Sequence, residues 1–140
     1  MHLEHYIWGI KLFLIQIYFF RKNMAQSSAM NYANARGITK SSIDTFSIGY
    51  ALPGNRLLKY GHKHKESLLT LSLIGVNTEN GSEYDFFRDR IIFPIHSPSG
   101  KLVGFSGRVL DDRKPKYLNS VESSLFSKSN TIYNLSRISH

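Results

Sequence analysis

The stretch from residue 90 to residue 110, RIIFPIHSPSGKLVGFSGRVL, constrains the fold more than any other part of the chain. Two runs rich in β-branched, aromatic and aliphatic residues flank a short polar centre, the pattern of two strands joined by a tight turn. Pro98 followed by Gly100 suits a type I or related turn. Pro94 lacks a backbone donor, which predicts an edge or bulged position in the first strand. Gly104 and Gly107 mark places in the second strand where another backbone or a ligand comes close. The rest of the chain has to cover a sheet built on this hairpin.

Upstream, the hydrophobic period changes from two to nearly four. Ala29, Tyr32 and Ala33 fall at i, i+3 and i+4, and Gly37 after Arg36 is a suitable helix stop. Thr39 or Ser41 can cap a second helix, with Ile43 and Phe46 on one face and Gly49 at its end. Glu66 to Leu73 reads as a further short helix closed by Gly75, followed by a polar loop with a turn signal at Asn80-Gly81. Beyond the hairpin, KYLNSVESSLFSKSNTIYNLSRI reads as an extended piece, a Ser-rich loop and a last short element around Ile132 to Leu135. Helices first and hairpins later predict an α+β fold: short N-terminal helices followed by a curved, mainly antiparallel β-sheet with hairpins. The apolar run Tyr6 to Phe20 is interrupted by Lys11 and Gln16 and is shorter than the ~20 residues of a spanning helix. It reads as a buried or docking helix, with a membrane anchor or a decayed segment as the alternatives, and residues 1–24 are set apart from 25–140.

The charge is uneven. Eighteen Lys and Arg against ten Asp and Glu leave a net charge of +8 over 140 residues, which favours polyanionic partners. From Phe86 onward there are nine basic and four acidic residues, so most of the excess lies in the β-rich part. Arg88 and Arg90 are two apart and would share one face of a strand. Arg108 ends the second strand of the hairpin, and Lys116 and Tyr117 follow a turn containing Pro115. Strands can hold such cations against a phosphodiester chain while Tyr117 offers its ring to a base and Asn119 adds a neutral donor. A solvated basic face with Tyr117 half-buried stays open as the alternative at this stage.

Other chemistries find little support. With no cysteine, thiol nucleophiles, disulfides and Cys-ligated zinc are excluded within this chain. His62 and His64 lack a nearby third ligand, and Asp111-Asp112 followed by Arg113 and Lys114 reads as a turn. Ser106 between Phe105 and Gly107 lacks the strand-turn-helix setting of a nucleophile elbow. No phosphate-binding GxxxxGK[ST] loop is present. Catalytic and metal-ligating residues are therefore expected to be absent from these 140 residues.

In order along the chain, YANARGITKSSIDTFSIGYALPG, YDFFRDRIIFPIHSPSGKLVGFSGRVLDDRKPKYLNS and SLFSKSNTIYNL resemble the N-terminal subdomain of the catalytic core of bacterial DNA primase. The resemblance spans about residues 28 to 137. It rests on the joint order of a D-x-F-R-x-R-[IV]-x-F-P-I block, a G-G-R block, P-K-Y-L-N-S and a later lysine. The sequence departs from the family pattern at Ser106, at Ser127 and at Asn134. It also ends at His140 without the E-G and D-x-D carboxylates of the Toprim subdomain.

The resemblance implies a primase fragment that grips single-stranded DNA template and nucleoside triphosphates for RNA primer synthesis. It assigns binding to Arg88, Arg90, Arg108, Lys116, Tyr117, Asn119 and Lys128. The complete enzyme is expected to use Mg or Mn, held by Toprim carboxylates, and a Cys-based zinc module is expected to precede this part. A Toprim-containing chain and the replicative helicase are the implied protein partners, in the cytoplasm and away from membrane. The isolated chain is expected not to polymerise. A non-catalytic single-stranded nucleic-acid-binding protein is the alternative.

Overall fold

The structure, a computed structural model, describes residues 11–25 and 27–121. The element expected around Ile132 to Leu135, the start of the apolar run, and Lys128 lie outside the described residues.

A helix over residues 11–23 (α1) widens to a π-helix at Gln16–Arg21. It is followed by α2 (Ser27–Ala35), α3 (Lys40–Phe46), β1 (Gly49–Ala51), α4 (Arg56–Tyr60), a 3-10 turn (His62–His64) and α5 (Lys65–Thr70). The strands β2 (Ile74–Val76), β3 (Glu83–Asp85), β4 (Arg90–His96), β5 (Leu102–Val109) and β6 (Tyr117–Val121) complete the order. The main sheet runs β1–β4–β5–β6 with every neighbour antiparallel, and β2–β3 form a separate antiparallel pair. The fold is α+β.

The hairpin forms where its sequence places it. Gly100 N donates to Ser97 O at 2.8 Å to close the turn, and the register shifts between Ile95 and His96 as at a bulge. Pro94 lies in an inner strand, yet β1 pairs only with Arg90 to Ile92, so Pro94 sits past the end of that ladder. Its missing N–H therefore costs no β1 bond.

Each face of the sheet is covered by a different set of helices, because alternate residues point to opposite sides. Tyr50 and Ile91 pack with Ala29 and Ala33 of α2, Ile43 of α3, Ile48 and Met24. Ala51, Ile92 and Phe105 pack on the other side with Leu12, Phe19 and Phe20 of α1 and with Leu57, Leu68, Leu71, Leu73 and Phe87. The Phe20 ring meets Phe105 edge-on at 5.0 Å, so α1 is part of this core layer. No helix among the described residues is long and apolar enough to cross a membrane.

Helix ends follow local chemistry. Ile38 N donates to Ala33 O at 2.8 Å and Gly37 N to Asn34 O, a Schellman closure with Gly37 left-handed at φ 74°. Thr39 caps α3 by accepting from Ser42 N. Three expectations need correction. Phe46 does not share the buried face of Ile43: it is 63% exposed, at the last position of the seven-residue α3. The helix ends at left-handed Ser47, and Gly49 already belongs to β1. Likewise α5 stops at Thr70, Ser72 (φ 59°) turns the chain, and Gly75 is a strand residue in β2 beside the Tyr84 ring.

One buried carboxylate joins the two halves of this layer. Asp85 on β3 accepts from Leu57 N at 2.7 Å and Leu58 N at 2.8 Å, satisfying donors at the start of α4. Burial raises its pKa above the ordinary value, against the lowering effect of these bonds.

Candidate nucleic-acid interface

The cross-strand row Tyr50, Ile91, Arg108 and Tyr117 runs across the sheet. α2 packs over Tyr50 and Ile91, and a groove of about 530 Å³ lies between its C-terminal part and Arg108. Tyr32, Arg36, Arg108, Val109, Asp111, Arg113, Lys114 and Lys116 are among its lining residues, with Asp112.

Cations and rings alternate along this groove and onto Tyr117. The Arg36 guanidinium carbon lies 5.2 Å from the Tyr32 ring, and the Arg108 carbon lies 5.7 Å from the same ring. Arg108 is also 5.9 Å from the Tyr117 ring, and Lys116 Nζ is 5.9 Å from it on its own account. The order is Arg36, Tyr32, Arg108, Tyr117, Lys116. The Schellman closure fixes Arg36 at the end of α2, one turn after Tyr32, so the pair shares a helix face. Arg108 and Tyr117 are direct cross-strand partners. Arg108 Nη1 also donates to the Tyr32 hydroxyl.

The two arginines at the groove's rim and floor are held in opposite ways. Arg113 donates from Nε to Asp111 at 2.8 Å and from Nη2 to the Asp89 carboxylate at 3.2 Å and its carbonyl at 3.1 Å. Asp111 also accepts from Arg113 N, the Asx-type turn expected at Asp111-Asp112. These bonds hold the exposed Asp111 carboxyl below its usual range. Tyr50 donates to Asp89 at 2.5 Å, and burial followed by this bond pushes the Tyr50 pKa up to about 12. The loop 110–116 is thereby tied to the start of β4. Among the described residues Arg108 has no carboxylate partner to neutralise its charge. Arg36, Lys114 and Lys116 are likewise without ion pairs among the described residues.

Arg108, Lys116 and Tyr117 are brought together as the sequence indicated. Asn119 is exposed, two residues beyond Tyr117 on the same face of β6. Arg88 and Arg90 do not share a face, which corrects that expectation. β4 begins only at Arg90, and the intervening Asp89 is left-handed at φ 54°, so strand alternation does not extend back to Arg88. Arg88 is exposed, lies 5.7 Å from the Tyr84 ring and lines a different cavity with Asn55, Asn77 and Glu83. Arg90 is 6% exposed and turns inward. It donates to Pro115 O at 2.9 Å, Gly107 O at 3.1 Å and Lys116 O at 3.4 Å. Burial, then the neighbouring Arg113, lowers its pKa.

Gly107 makes this possible by close approach. A Cβ there would lie 2.6 Å from the Phe87 ring and 3.2 Å from Arg90 Cδ. Ser106 next to it is fully buried in ordinary backbone, since positive φ among described non-glycine residues is confined to Ser47, Ser72 and Asp89. Among the described residues no group of three or more His, Asp or Glu is arranged to hold a metal ion.

Tyr32 and Arg36 were not singled out from sequence. Tyr32 reads from sequence as part of the apolar face with Ala29 and Ala33, and Arg36 as the residue before the helix stop; nothing local shows that this end of α2 meets residues some seventy positions later.

The DNA primase catalytic core, N-terminal domain, is the family that matches residues 18–139. The DNA primase of Deinococcus radiodurans is 42% identical over 123 residues, covering 85% of this chain and 21% of that protein. A solved DnaG primase catalytic domain bound to single-stranded DNA aligns with TM-score 0.80 at 31% identity, over 97% of this chain and 47% of that one. The RNA polymerase domain of Mycobacterium tuberculosis DnaG, in complex with a double-stranded DNA oligomer with a 6-nucleotide overhang, gives TM-score 0.65 at 26% identity, over 80% of this chain and 37% of that one. The chain spans about a fifth of the length of its Deinococcus relative. Sequence and overall shape agree: the chain belongs to the family of the DNA primase catalytic core, N-terminal domain.

Proposed function

We propose that this chain supplies the part of a DNA primase that holds the single-stranded DNA template and the incoming nucleoside triphosphates during RNA primer synthesis in the cytoplasm. The observation that carries the reading is the alternating row of Arg36, Tyr32, Arg108, Tyr117 and Lys116, whose four members other than Tyr117 line one groove. Cations spaced by aromatic rings suit a strand whose phosphates need charge and whose unpaired bases present π-faces. In this reading Arg36, Arg108, Lys114 and Lys116, which line the groove, meet phosphates, Tyr117 stacks or orients a base, and Asn119 adds a neutral contact. Arg90 supports the groove from behind by holding the carbonyls of Pro115 and Lys116. Arg88 lines a separate cavity and is assigned no part in this contact. Metal-assisted nucleotidyl transfer needs a carboxylate cluster that holds Mg or Mn ions. In this reading a Toprim-containing part supplies it, and the helicase meets the complete enzyme.

Fluorescence anisotropy with a labelled single-stranded oligonucleotide tests this. One phosphate contact is worth about fivefold in affinity near 0.1 M salt, so Lys116→Ala is expected to lose about that and Arg108→Ala about tenfold. Arg88→Ala should stay within about twofold. Equal losses at all three positions, or none, would defeat the reading.

A further inference from the structure

We propose that Tyr32 is a positioning residue for Arg108, holding the guanidinium in the orientation that meets the strand while leaving its charge intact. This rests on the groove being the nucleic-acid site.

Among the described residues Arg108 has no carboxylate beside it; a half-buried arginine so placed has many orientations open to it, and a ligand would have to select one on binding. Here the selection is made on folding. Arg108 donates Nη1 to the Tyr32 hydroxyl, and its guanidinium lies between the rings of Tyr32 and Tyr117 at 5.7 and 5.9 Å. Tyr32 is itself fixed, because its neighbours Ala29 and Ala33 are fully buried against the sheet. The contact joins residues 76 positions apart, α2 to β5, so neither element alone orients the side chain.

The contrast with Arg113 shows why the acceptor is a tyrosine. Asp111 and Asp89 hold Arg113 with carboxylates, which fix the side chain and also cancel its charge. A neutral hydroxyl fixes a guanidinium without cancelling it. Arg108 therefore keeps a full charge for a phosphate, with its fork already aimed. Arg108 Nε is buried without a partner among the described residues, so the orientation depends on the Nη1 bond and the two rings. Tyr32→Phe removes the hydroxyl and leaves the ring, so it isolates this one bond.

The experiment uses the full 140-residue chain as wild type, Tyr32→Phe, Arg108→Ala and the double variant. The probe is a fluorescein-labelled single strand of about 16 nucleotides. Tyr32→Phe is expected to weaken binding about fivefold with a thermal midpoint within about 2 °C of wild type, and Arg108→Ala about tenfold. In the double variant the loss should equal that of Arg108→Ala alone within about twofold, because Tyr32 acts only through Arg108. A purely structural effect of Tyr32 would persist when Arg108 is gone. Arg108→Lys gives a second check, since it keeps the charge without the fork and should also silence Tyr32→Phe. The inference is overturned if Tyr32→Phe binds like wild type, or if its loss remains in the Arg108→Ala and Arg108→Lys backgrounds. If Arg108→Ala itself binds like wild type, the groove reading falls and this inference with it.

Discussion

Replacing Arg90 by alanine separates a supporting arginine from a ligand-binding one. The guanidinium makes two well-formed bonds, to Pro115 O at 2.9 Å and Gly107 O at 3.1 Å, and a longer one to Lys116 O at 3.4 Å. Hydrogen bonds from a charged donor are worth about 1.5–3 kcal/mol each. Part of that is offset, because the wild-type protein already bears the cost of burying this cation, which is why its pKa falls. The alanine variant leaves carbonyls unsatisfied and a void beside Gly107 and Phe87. A net loss of about 2–4 kcal/mol follows. At about 4 °C per kcal/mol for a domain of this size, the midpoint of thermal unfolding should fall by roughly 8–16 °C. Circular dichroism melts at neutral pH measure it. Arg90→Lys should recover at most about half, since one ammonium cannot span two separate carbonyls as a fork does. A midpoint within about 2 °C of wild type, together with weakened DNA binding, would show that Arg90 faces the ligand and refute the supporting role.

Tyr50→Phe should change alkaline stability. The Tyr50 pKa is raised to about 12 from an ordinary 10.0, so folding holds its proton where the unfolded chain releases it. Its contribution is present below about pH 10 and lost as pH rises toward about 12, and urea titrations of the phenylalanine variant should show a flatter decline across that window. Gly107→Ala should cost about 1–3 kcal/mol, because its Cβ would sit 2.6 Å from the Phe87 ring; an unchanged denaturation midpoint would contradict the close approach. Asp85→Ala should cost about 2–3 kcal/mol by leaving the donors of Leu57 and Leu58 unmet. Asp85→Asn should cost less, and it should remove the gain in stability expected as pH falls through the raised Asp85 pKa.

The elements legible in the sequence are those whose signals are local. The β4–β5 hairpin shows a two-residue period around Ser97 to Gly100, and α2 shows small apolar residues at i and i+4 with Gly37 at the closure. Thr39 served as its cap role suggested. The β2–β3 pair was not legible: each strand has three residues, and Gly75 in the middle reads as a helix stop. What makes it a strand is pairing with Tyr84, a tertiary matter. Asp85 capping α4 across 28 residues leaves no trace in either segment.

The groove was legible in part for the same reason. Arg108, Lys116 and Tyr117 lie close along one β connection, so the hairpin brings them together once it forms. Arg90 departs from the expected shared face because strand alternation does not run across Asp89, whose backbone is left-handed while its carboxylate accepts from Tyr50 and Arg113. Tyr32 and Arg36 reach the groove only through the packing of α2 on the sheet.

The most direct measurement is the salt dependence of single-strand binding by the wild-type chain and by Lys116→Ala. Among the described residues, Arg36, Arg108, Lys114 and Lys116 are the groove cations without an ion pair. Four phosphate contacts give a log–log slope of about −0.7 each, so raising salt from about 50 to about 200 mM should weaken binding roughly fiftyfold. Lys116→Ala should make the slope shallower by about 0.7. Binding that changes less than about threefold over that range, or a slope untouched by Lys116→Ala, would contradict a groove that holds a strand by its phosphates.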